Sequence, residues 1–401
     1  MRSFAFVVPR FGEGIVGGAE TLVAALASKL NEGGDEVEVW TTCARDNRTW
    51  ENYFPQGNAV EFGLPVKRFS VNERNLELWI PHQIAISEGL KLSVNAQLDW
   101  MTNGVNSNSL YEHIKKEAAH FHAIFFAPYL FGTTFFGSLI CPERSILIPC
   151  LHDEHYAYTE IVQSMFRQVK GCLFNSIPEQ ELAEVTYGSL NGSEVGMGFD
   201  VGIYRKREPY FKEAFPYILY VGRKETGKNV QVLIDCFIAY KELDSESPLK
   251  LVIAGGGDFQ DLQRPNALDR KDVIDLSHVS EEEKQGLIQN CLFLCQPSRN
   301  ESFSIVLMEA WLQGSPVVVD ARCPVTRHHV VESGGGLYFS SEEDLIGICR
   351  EFLANSQLRL ELAEAGRAYV KSRYSWDAVL KRFNQAIDLI FKQGAFGHQS
   401  S

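Results

Sequence analysis

Short apolar runs that stop at a turn and hand over to a helical pattern recur in two separate series along this chain. In the first, Phe4–Val8 carries no polar interruption and is followed by a glycine-rich turn. A helical pattern comes next, with Leu22, Ala25, Leu26 and Leu30 on one face, closed by Gly33-Gly34; Val37-Glu38-Val39-Trp40 is the next expected strand. Strands with no polar alternation are buried on both faces, as happens when helices cover both sides of a parallel sheet. Further strands are expected at 123–127, 145–149 and 172–174. The second series starts near Pro216, with strands expected at 217–221, 250–254, 273–276, 292–296 and 316–319. Helical patterns fill the gaps at 229–242, 281–290, 304–313, 342–355 and 358–372.

A chain of 401 residues exceeds one ordinary core. The reading is α/β: two doubly wound domains, 1–203 and 204–375, with the basic, Pro-containing stretch Tyr204–Pro216 as the linker. Residues 43–110, rich in Asn, Trp and Pro, read as loops and short elements over a binding cleft. Ligands in such sheets lie outside the carboxyl ends of the strands, so the residues just after each strand are the candidates for function.

The net charge of −13 argues against a nucleic-acid partner, whose phosphates are held by surplus Lys and Arg. No apolar run approaches the roughly 20 residues that span a bilayer. The apolar start of the chain is too short for a signal-peptide core and reads as a buried strand. The nine cysteines form no C-x-x-C pair and sit mostly in apolar stretches, which fits reduced core thiols in the cytoplasm.

Four strand-end motifs stand out. The turn from Gly12 to Glu20 contains a literal G-x-G-x-x-G at Gly12, Gly14 and Gly17. A dinucleotide site is disfavoured, because Pro9-Arg10-Phe11 intervenes after the strand and the second strand does not end in the acid that would hold a ribose. What remains is a loop whose Gly17 and Gly18 amides open a helix and can approach an anion. Leu151-His152-Asp153-Glu154-His155 follows another strand; adjacent side chains there diverge and have no metal-ligand spacing.

After Val221, the run Gly222 to Asn229 offers Arg223 as a planar fork and Lys228 as a point charge for a diphosphate. Pro297 to Glu309 places two carboxylates eight apart, Glu301 before a helix and Glu309 within it. Ser304 is the expected N-cap, leaving the amides of 303–306 open to an anion or hydroxyl. Glu309 lies among apolar residues, where an unpaired carboxylate is costly, so it needs partners. Trp79, Trp100 and Tyr129 are equally suited to stacking on a sugar or to filling a core.

Together these motifs resemble glycosyltransferase family 4, the retaining enzymes of GT-B fold: G-G-A-E at Gly17-Gly18-Ala19-Glu20, H-D-E at 152–154, G-R-x-x-x-x-K at Gly222, Arg223 and Lys228, and E-x7-E at Glu301 and Glu309. The tail Tyr374-Ser375-Trp376 looks like that family's crossover, with a helix at 376–395 packing back on the first domain. The resemblance implies two facing Rossmann-like domains, an acceptor-binding N-terminal one and a nucleotide-sugar-binding C-terminal one. It implies that Glu309 binds the donor ribose and that Glu301, with Ser302 and the Phe303 and Ser304 amides, holds the transferred sugar. Arg223, Lys228 and the Gly17-Gly18 turn would grip the diphosphate, His152 would face the anomeric carbon, and Val279 would meet the base. Transfer would retain configuration without a metal or other cofactor, from a UDP- or GDP-sugar to a glycan or lipid-linked acceptor in cell-surface polysaccharide synthesis. A cytoplasmic protein, with peripheral contact at the inner membrane face, is the matching localisation. The alternatives are a sugar-nucleotide epimerase of similar fold and a non-catalytic sugar-nucleotide binding subunit.

Overall fold

The computed structural model describes residues 1–15, 17–202 and 205–393. The chain divides into two compact units, Met1–Gly198 with the segment that starts at Trp376, and Phe199–Ser375. The boundary expected at 203/204 and the first linker residue, Tyr204, fall outside the described residues, as do 394 and 395 of the expected last helix.

Among the described residues, the first unit holds an eight-stranded sheet. Its strands are β1 (Ser3–Val8), β2 (Glu36–Thr42), β3 (Gly57–Glu61), β4 (Leu64–Phe69), β5 (Ala123–Phe126), β6 (Ser145–Leu147), β7 (Gly171–Phe174) and β8 (Gly192–Glu194). They run in the order β3-β4-β2-β1-β5-β6-β7-β8. All pairings are parallel except the β3–β4 hairpin. β1 is central and buried along nearly its whole length, registering Phe4 with Val37 on one side and with Ala123 on the other. That is the environment its uninterrupted apolar sequence requires.

The unit's helices are α1 (Gly18–Glu32), α2 (Leu76–Ser87), α3 (Val94–Thr102), α4 (Asn108–Glu117), α5 (Gly132–Ser138), α6 (Glu160–Gln168) and α7 (Ile177–Tyr187). Residues 43–110 are therefore more ordered than the sequence reading allows. They form the β3–β4 hairpin, two full helices and the start of a third. Each helix begins at a polar cap: Asn75, Ser93 and Ser107 accept from the amides of Leu78, Ala96 and Leu110.

Among the described residues, the second unit contains a six-stranded, wholly parallel sheet in the order β11-β10-β9-β12-β13-β14. Its strands are β9 (Tyr217–Val221), β10 (Lys250–Ala254), β11 (Val273–Leu276), β12 (Phe293–Gln296), β13 (Val317–Asp320) and β14 (Gly336–Phe339). The helices are α8 (Val230–Leu243), α9 (Glu281–Asn290), α10 (Ile305–Gln313), α11 (Pro324–Ser333), α12 (Glu342–Ala354) and α13 (Ser356–Arg373). The described part of the expected linker packs on this unit: the Arg207 amide donates to the Gln289 side chain, which donates in turn to the Arg205 carbonyl.

The last helix, α14 (Trp376–Gln393), returns to the first unit. Phe383 sets its ring against Phe4 and Phe125 at 5.8 and 5.6 Å, and Arg382 donates to the Val195 carbonyl. No helix among the described residues is long and apolar enough to cross a membrane.

Candidate active site

In the second unit, the loops that follow β9, β10, β12 and β13 are stitched to one another by backbone and side-chain bonds. A methyl group at Gly255 would collide with the Gly222 carbonyl, so the turns after β9 and β10 meet backbone to backbone. The Lys224 amide donates to the Gly256 carbonyl at 2.7 Å, and the buried Lys224 ammonium reaches Asp275 at 2.7 Å. Lys224 is thereby a structural tack, although in sequence it looks as available as its neighbours. Arg223 stays 59% exposed and pairs with Glu225 at 2.9 Å. Asn229, left-handed at φ 59°, donates its side-chain amide to the Pro297 carbonyl and the Asp320 carboxylate.

That stitch carries the end of the β9 loop to the loop after β12, and it places Lys228 Nζ 2.8 Å from Glu301 Oε1. Two residues 73 apart in sequence, each singled out for the same ligand, thus meet in one half-buried pair. Asp320, fully buried at the end of β13, anchors Arg322 through two guanidinium bonds and draws Arg299 to 3.5 Å. The sequence reading missed both arginines and Asn229.

Ser304 occupies the N-cap position of α10 but does not cap it. Its φ of 72° turns the hydroxyl away from the helix start, and no side-chain cap bond forms. The expected capping role is corrected; the open first turn remains, because the first amides of any helix precede its i→i−4 ladder. Phe303 is buried, its ring edge-on to Phe303's neighbours His329 and Tyr374 at 5.3 and 5.1 Å, which fixes the loop from Glu301 to Ser304.

Glu309 does have a partner, as a carboxylate among apolar residues must, and the partner is one the sequence reading did not name. Lys284 Nζ lies 2.8 Å from Glu309 and 2.9 Å from Glu281. Burial raises the Glu309 pKa above the ordinary carboxylate range, and the Lys284 ammonium works against that rise. Lys284 stands on the first turns of α9, whose start is fixed by the Ser280–Glu283 capping box. The same box holds the backbone at Val279. A lone lysine after Glu281-Glu282-Glu283 reads in sequence as a solvated face, which is why it was passed over.

In the first unit, Gly17 is the extended N-cap of α1, and a side chain there would strike the Glu20 carboxylate. Glu20 is held in turn by the buried Arg10 guanidinium. The Glu20 carboxylate thus sits against Gly17 at the start of α1, while Val16 beside it lies outside the described residues. His152 is partly exposed, its Nδ1 3.8 Å from Glu154. Its neighbours diverge: Asp153 accepts from Tyr158, Glu154 from Tyr129, and His155 meets the Ser87 carbonyl. The turn is set by buried Glu179, which accepts from the backbone amides of Leu151 and Asn175. Burial pushes the Glu179 carboxyl up to about 8, those amides opposing the shift. Trp100 and Tyr129 prove to be core residues, Trp100 stacked on Tyr156 at 5.6 Å.

Residues 205–369 match the family described as glycosyl transferases group 1. The D-inositol 3-phosphate glycosyltransferase of Corynebacterium urealyticum is 28% identical over 176 residues, 41% of this chain and 40% of that protein. The chain spans about half the length of the curated relatives it matches. Sucrose-phosphate synthase from Thermosynechococcus elongatus superposes with a TM-score of 0.71 at 14% identity, covering 98% of this chain and 100% of that one. Anabaena Alr3699/HepE in complex with UDP and glucose gives 0.70 at 15% identity, with 98% and 100% covered.

Proposed function

We infer, from a chain of GT-B fold that belongs to the group 1 glycosyltransferases, that it transfers a sugar from a nucleoside diphosphate sugar to a hydroxyl acceptor with retention of configuration. The observation that carries the reading is the Lys228–Glu301 pair beside the open start of α10, with Glu309 further along that helix. Lys228 and the exposed Arg223 grip the diphosphate, and the ribose hydroxyls donate to Glu309. Val279 lies against the base. In the ligand-free protein, Lys228 is neutralised by Glu301. Binding of the donor exchanges that contact: the ammonium turns to a phosphate oxygen, and the freed carboxylate accepts hydroxyls of the transferred sugar, with Ser302 and the Phe303 and Ser304 amides.

The bond between the anomeric carbon and the diphosphate oxygen breaks as the acceptor oxygen bonds to the same face, and the acceptor proton passes to the departing diphosphate. Cations and helix-start amides stabilise that leaving group. A UDP-sugar is the first donor to try, given the UDP and glucose in the Anabaena structure; a GDP-sugar is the second. The acceptor is a glycan or lipid-linked sugar, as in assembly of surface polysaccharides, and the reaction needs no metal.

The deciding experiment titrates the protein with UDP, GDP and their sugars by thermal shift, which reads binding to the folded state directly. One nucleotide is expected to stabilise the parent and not Glu309→Ala. Turnover with that donor should persist in EDTA and give the donor's own anomer by NMR. If no nucleotide shifts the parent, or Glu309→Ala responds like the parent, this reading is wrong.

A further inference from the structure

Phe303, in the loop between β12 and α10, is held in an aromatic clamp whose parts come from distant points of the second unit. Phe199 stacks on its ring at 6.1 Å and 16°. Tyr374 and His329 meet it edge-on at 5.1 and 5.3 Å. Tyr369, on α13, closes the group by meeting Tyr374 and His329 at 5.4 and 6.0 Å. Phenylalanine and tyrosine suit such edge-to-face packing. A histidine in the same place is a different matter.

His329, on α11, has no exposed surface. Its Nδ1 lies 3.0 Å from the Tyr369 hydroxyl. Among the described residues, its Nε2 is shut off from solvent without a close hydrogen bond, and the Phe303 backbone lies beside the ring. Burial holds the imidazole neutral, its pKa lowered to about 3; His328 and Arg373 add to that shift and the Phe303 backbone opposes it. A phenylalanine would fill the same space without taking two ring nitrogens out of water. Stability alone therefore favours an apolar ring at this position, and the nitrogens call for another role.

The loop beside the ring is strained. Ser304, the residue after Phe303, sits at φ 72°, a conformation that costs a serine energy and persists only where its surroundings impose it. Its hydroxyl accepts from the Gln296 side chain at 3.5 Å, the outer limit of a hydrogen bond. On the other side of Phe303, Glu301 is tied to Lys228 at 2.8 Å. The loop thus has an ion pair at one end and the buried clamp at the other.

We propose that His329 is a positioning residue for the sugar end of the donor: its neutral imidazole, held by Tyr369, fixes the Phe303 backbone, keeps Ser304 left-handed and so holds residues 301–304 in the shape that receives the transferred sugar. This rests on the assignment of that loop to the sugar under the proposed function. It brings in a residue that touches neither sugar nor diphosphate, and it demands a selective defect. Without the imidazole, the nucleotide is still held through Glu309, whereas the sugar attached to it loses its contacts.

The test compares the full-length parent with His329→Phe, which keeps an aromatic ring and removes both nitrogens. Tyr369 retains the Tyr374 hydroxyl at 3.4 Å, so the variant should melt no lower than the parent. In the ligand-free proteins, amide hydrogen exchange is followed over residues 303–307, which include the Leu307 amide bonded to the Ser304 carbonyl. Exchange there should speed up about tenfold in His329→Phe, with α11 and α13 unchanged. Calorimetric titrations with UDP and UDP-glucose, and with GDP and GDP-mannose, measure the second effect. The Kd of the nucleotide that the parent binds should change by less than about threefold, and that of its sugar nucleotide should rise about tenfold, as loss of one hydrogen bond to the sugar requires. His329→Gln, which offers a donor and an acceptor from the same position, should recover most of both differences.

Equal exchange of residues 303–307 in the parent and His329→Phe, or a sugar nucleotide that loses no more affinity than its nucleotide, would overturn the proposal. So would a His329→Phe protein that fails to fold, melts well below the parent or exchanges faster throughout α11 and α13, since the imidazole would then be a packing group. A His329→Gln protein no better than His329→Phe would remove the role given to the nitrogens. A parent that binds no nucleotide takes away the donor reading beneath, while the exchange comparison still decides whether His329 holds the loop.

Discussion

Replacing Lys284 by Met isolates what one ammonium does for the nucleotide site. Lys284 and Glu309 keep only 18 and 24% of their side-chain surface and lie 2.8 Å apart. Removing one member of a fully buried pair costs about 3–5 kcal/mol; water reaching a quarter of the Glu309 side chain reduces this to about 1–2 kcal/mol. For a unit of this size the Tm should fall by roughly 5 °C. Binding should suffer more. Without Lys284, nothing opposes the upward pull of burial on the Glu309 carboxyl, so more of it is protonated near neutral pH.

A neutral acid accepts poorly from two ribose hydroxyls, and loss of a charge-assisted hydrogen bond weakens nucleotide binding by about 10- to 100-fold. The pH dependence carries the diagnosis. Because burial raises the Glu309 pKa in the fold and Lys284 opposes that rise, the affinity of Lys284→Met should recover toward higher pH more steeply than that of the parent. Lys284→Arg should keep most of the affinity. Calorimetric titration with the nucleotide that stabilises the parent measures all three. A Lys284→Met protein that binds like the parent at pH 7, or is equally impaired at pH 7 and 9, would refute the argument.

Lys228→Ala should lower kcat by about 100-fold while changing the nucleotide Kd by less than about tenfold, since its cation acts mostly on the leaving group; steady-state kinetics beside calorimetry separates the two. Glu179 holds its proton up to about pH 8 in the fold, against about 4.3 in an unfolded chain, so its contribution to stability is present at low pH and is lost as pH rises through 8. The Tm of the parent should therefore decline from pH 5 to 8 by more than that of Glu179→Gln, a comparison that scanning calorimetry makes directly. Gly366→Ala would drive a methyl into the Trp311 ring that packs α10 against α13. It should cost about 1–3 kcal/mol in denaturant unfolding and displace the helix that carries Glu309.

What the sequence disclosed, it disclosed through backbone chemistry. The parallel strands were legible because runs such as Phe4–Val8 and Leu251–Ala254 have no polar residue to place at a surface. Strand-end residues are then assignable to the ligand side from sequence alone. Lys228 and Glu301 are each legible as candidate donor ligands for that reason, Lys228 beside Arg223 and Glu301 with the sugar, whereas their contact with each other appears only in the fold. Residues 43–110 were misread because α2 is apolar on nearly every face and contains Pro81, so no helical period emerges; the caps at Asn75, Ser93 and Ser107 were the signal that remained. Serine before an apolar helix usually caps it, whereas Ser304 is left-handed at φ 72° and its hydroxyl accepts from the Gln296 side chain, a partner eight residues away that no cap pattern signals. Lys284 and Asn229 were invisible for a different reason. Their importance comes from the loop or helix opposite, which is distant in the chain.

The chain leaves the first unit after Gly198 and re-enters it at Trp376. Phe199 donates its amide to the Tyr374 carbonyl and bridges to Ser375, while Gly198 on the other side lies against the Trp376 ring. Outgoing and returning segments run side by side, so the second unit is an insertion whose entry and exit coincide. Excising 199–375 and splicing Gly198 directly to Trp376 would leave the first unit with its final helix and an undisturbed sheet. Cutting the gene at a single point after residue 198 would instead strip α14 from Phe4 and Phe125 and expose their rings. Dissection of this protein into working halves therefore calls for a splice and a cassette, and not for two consecutive fragments.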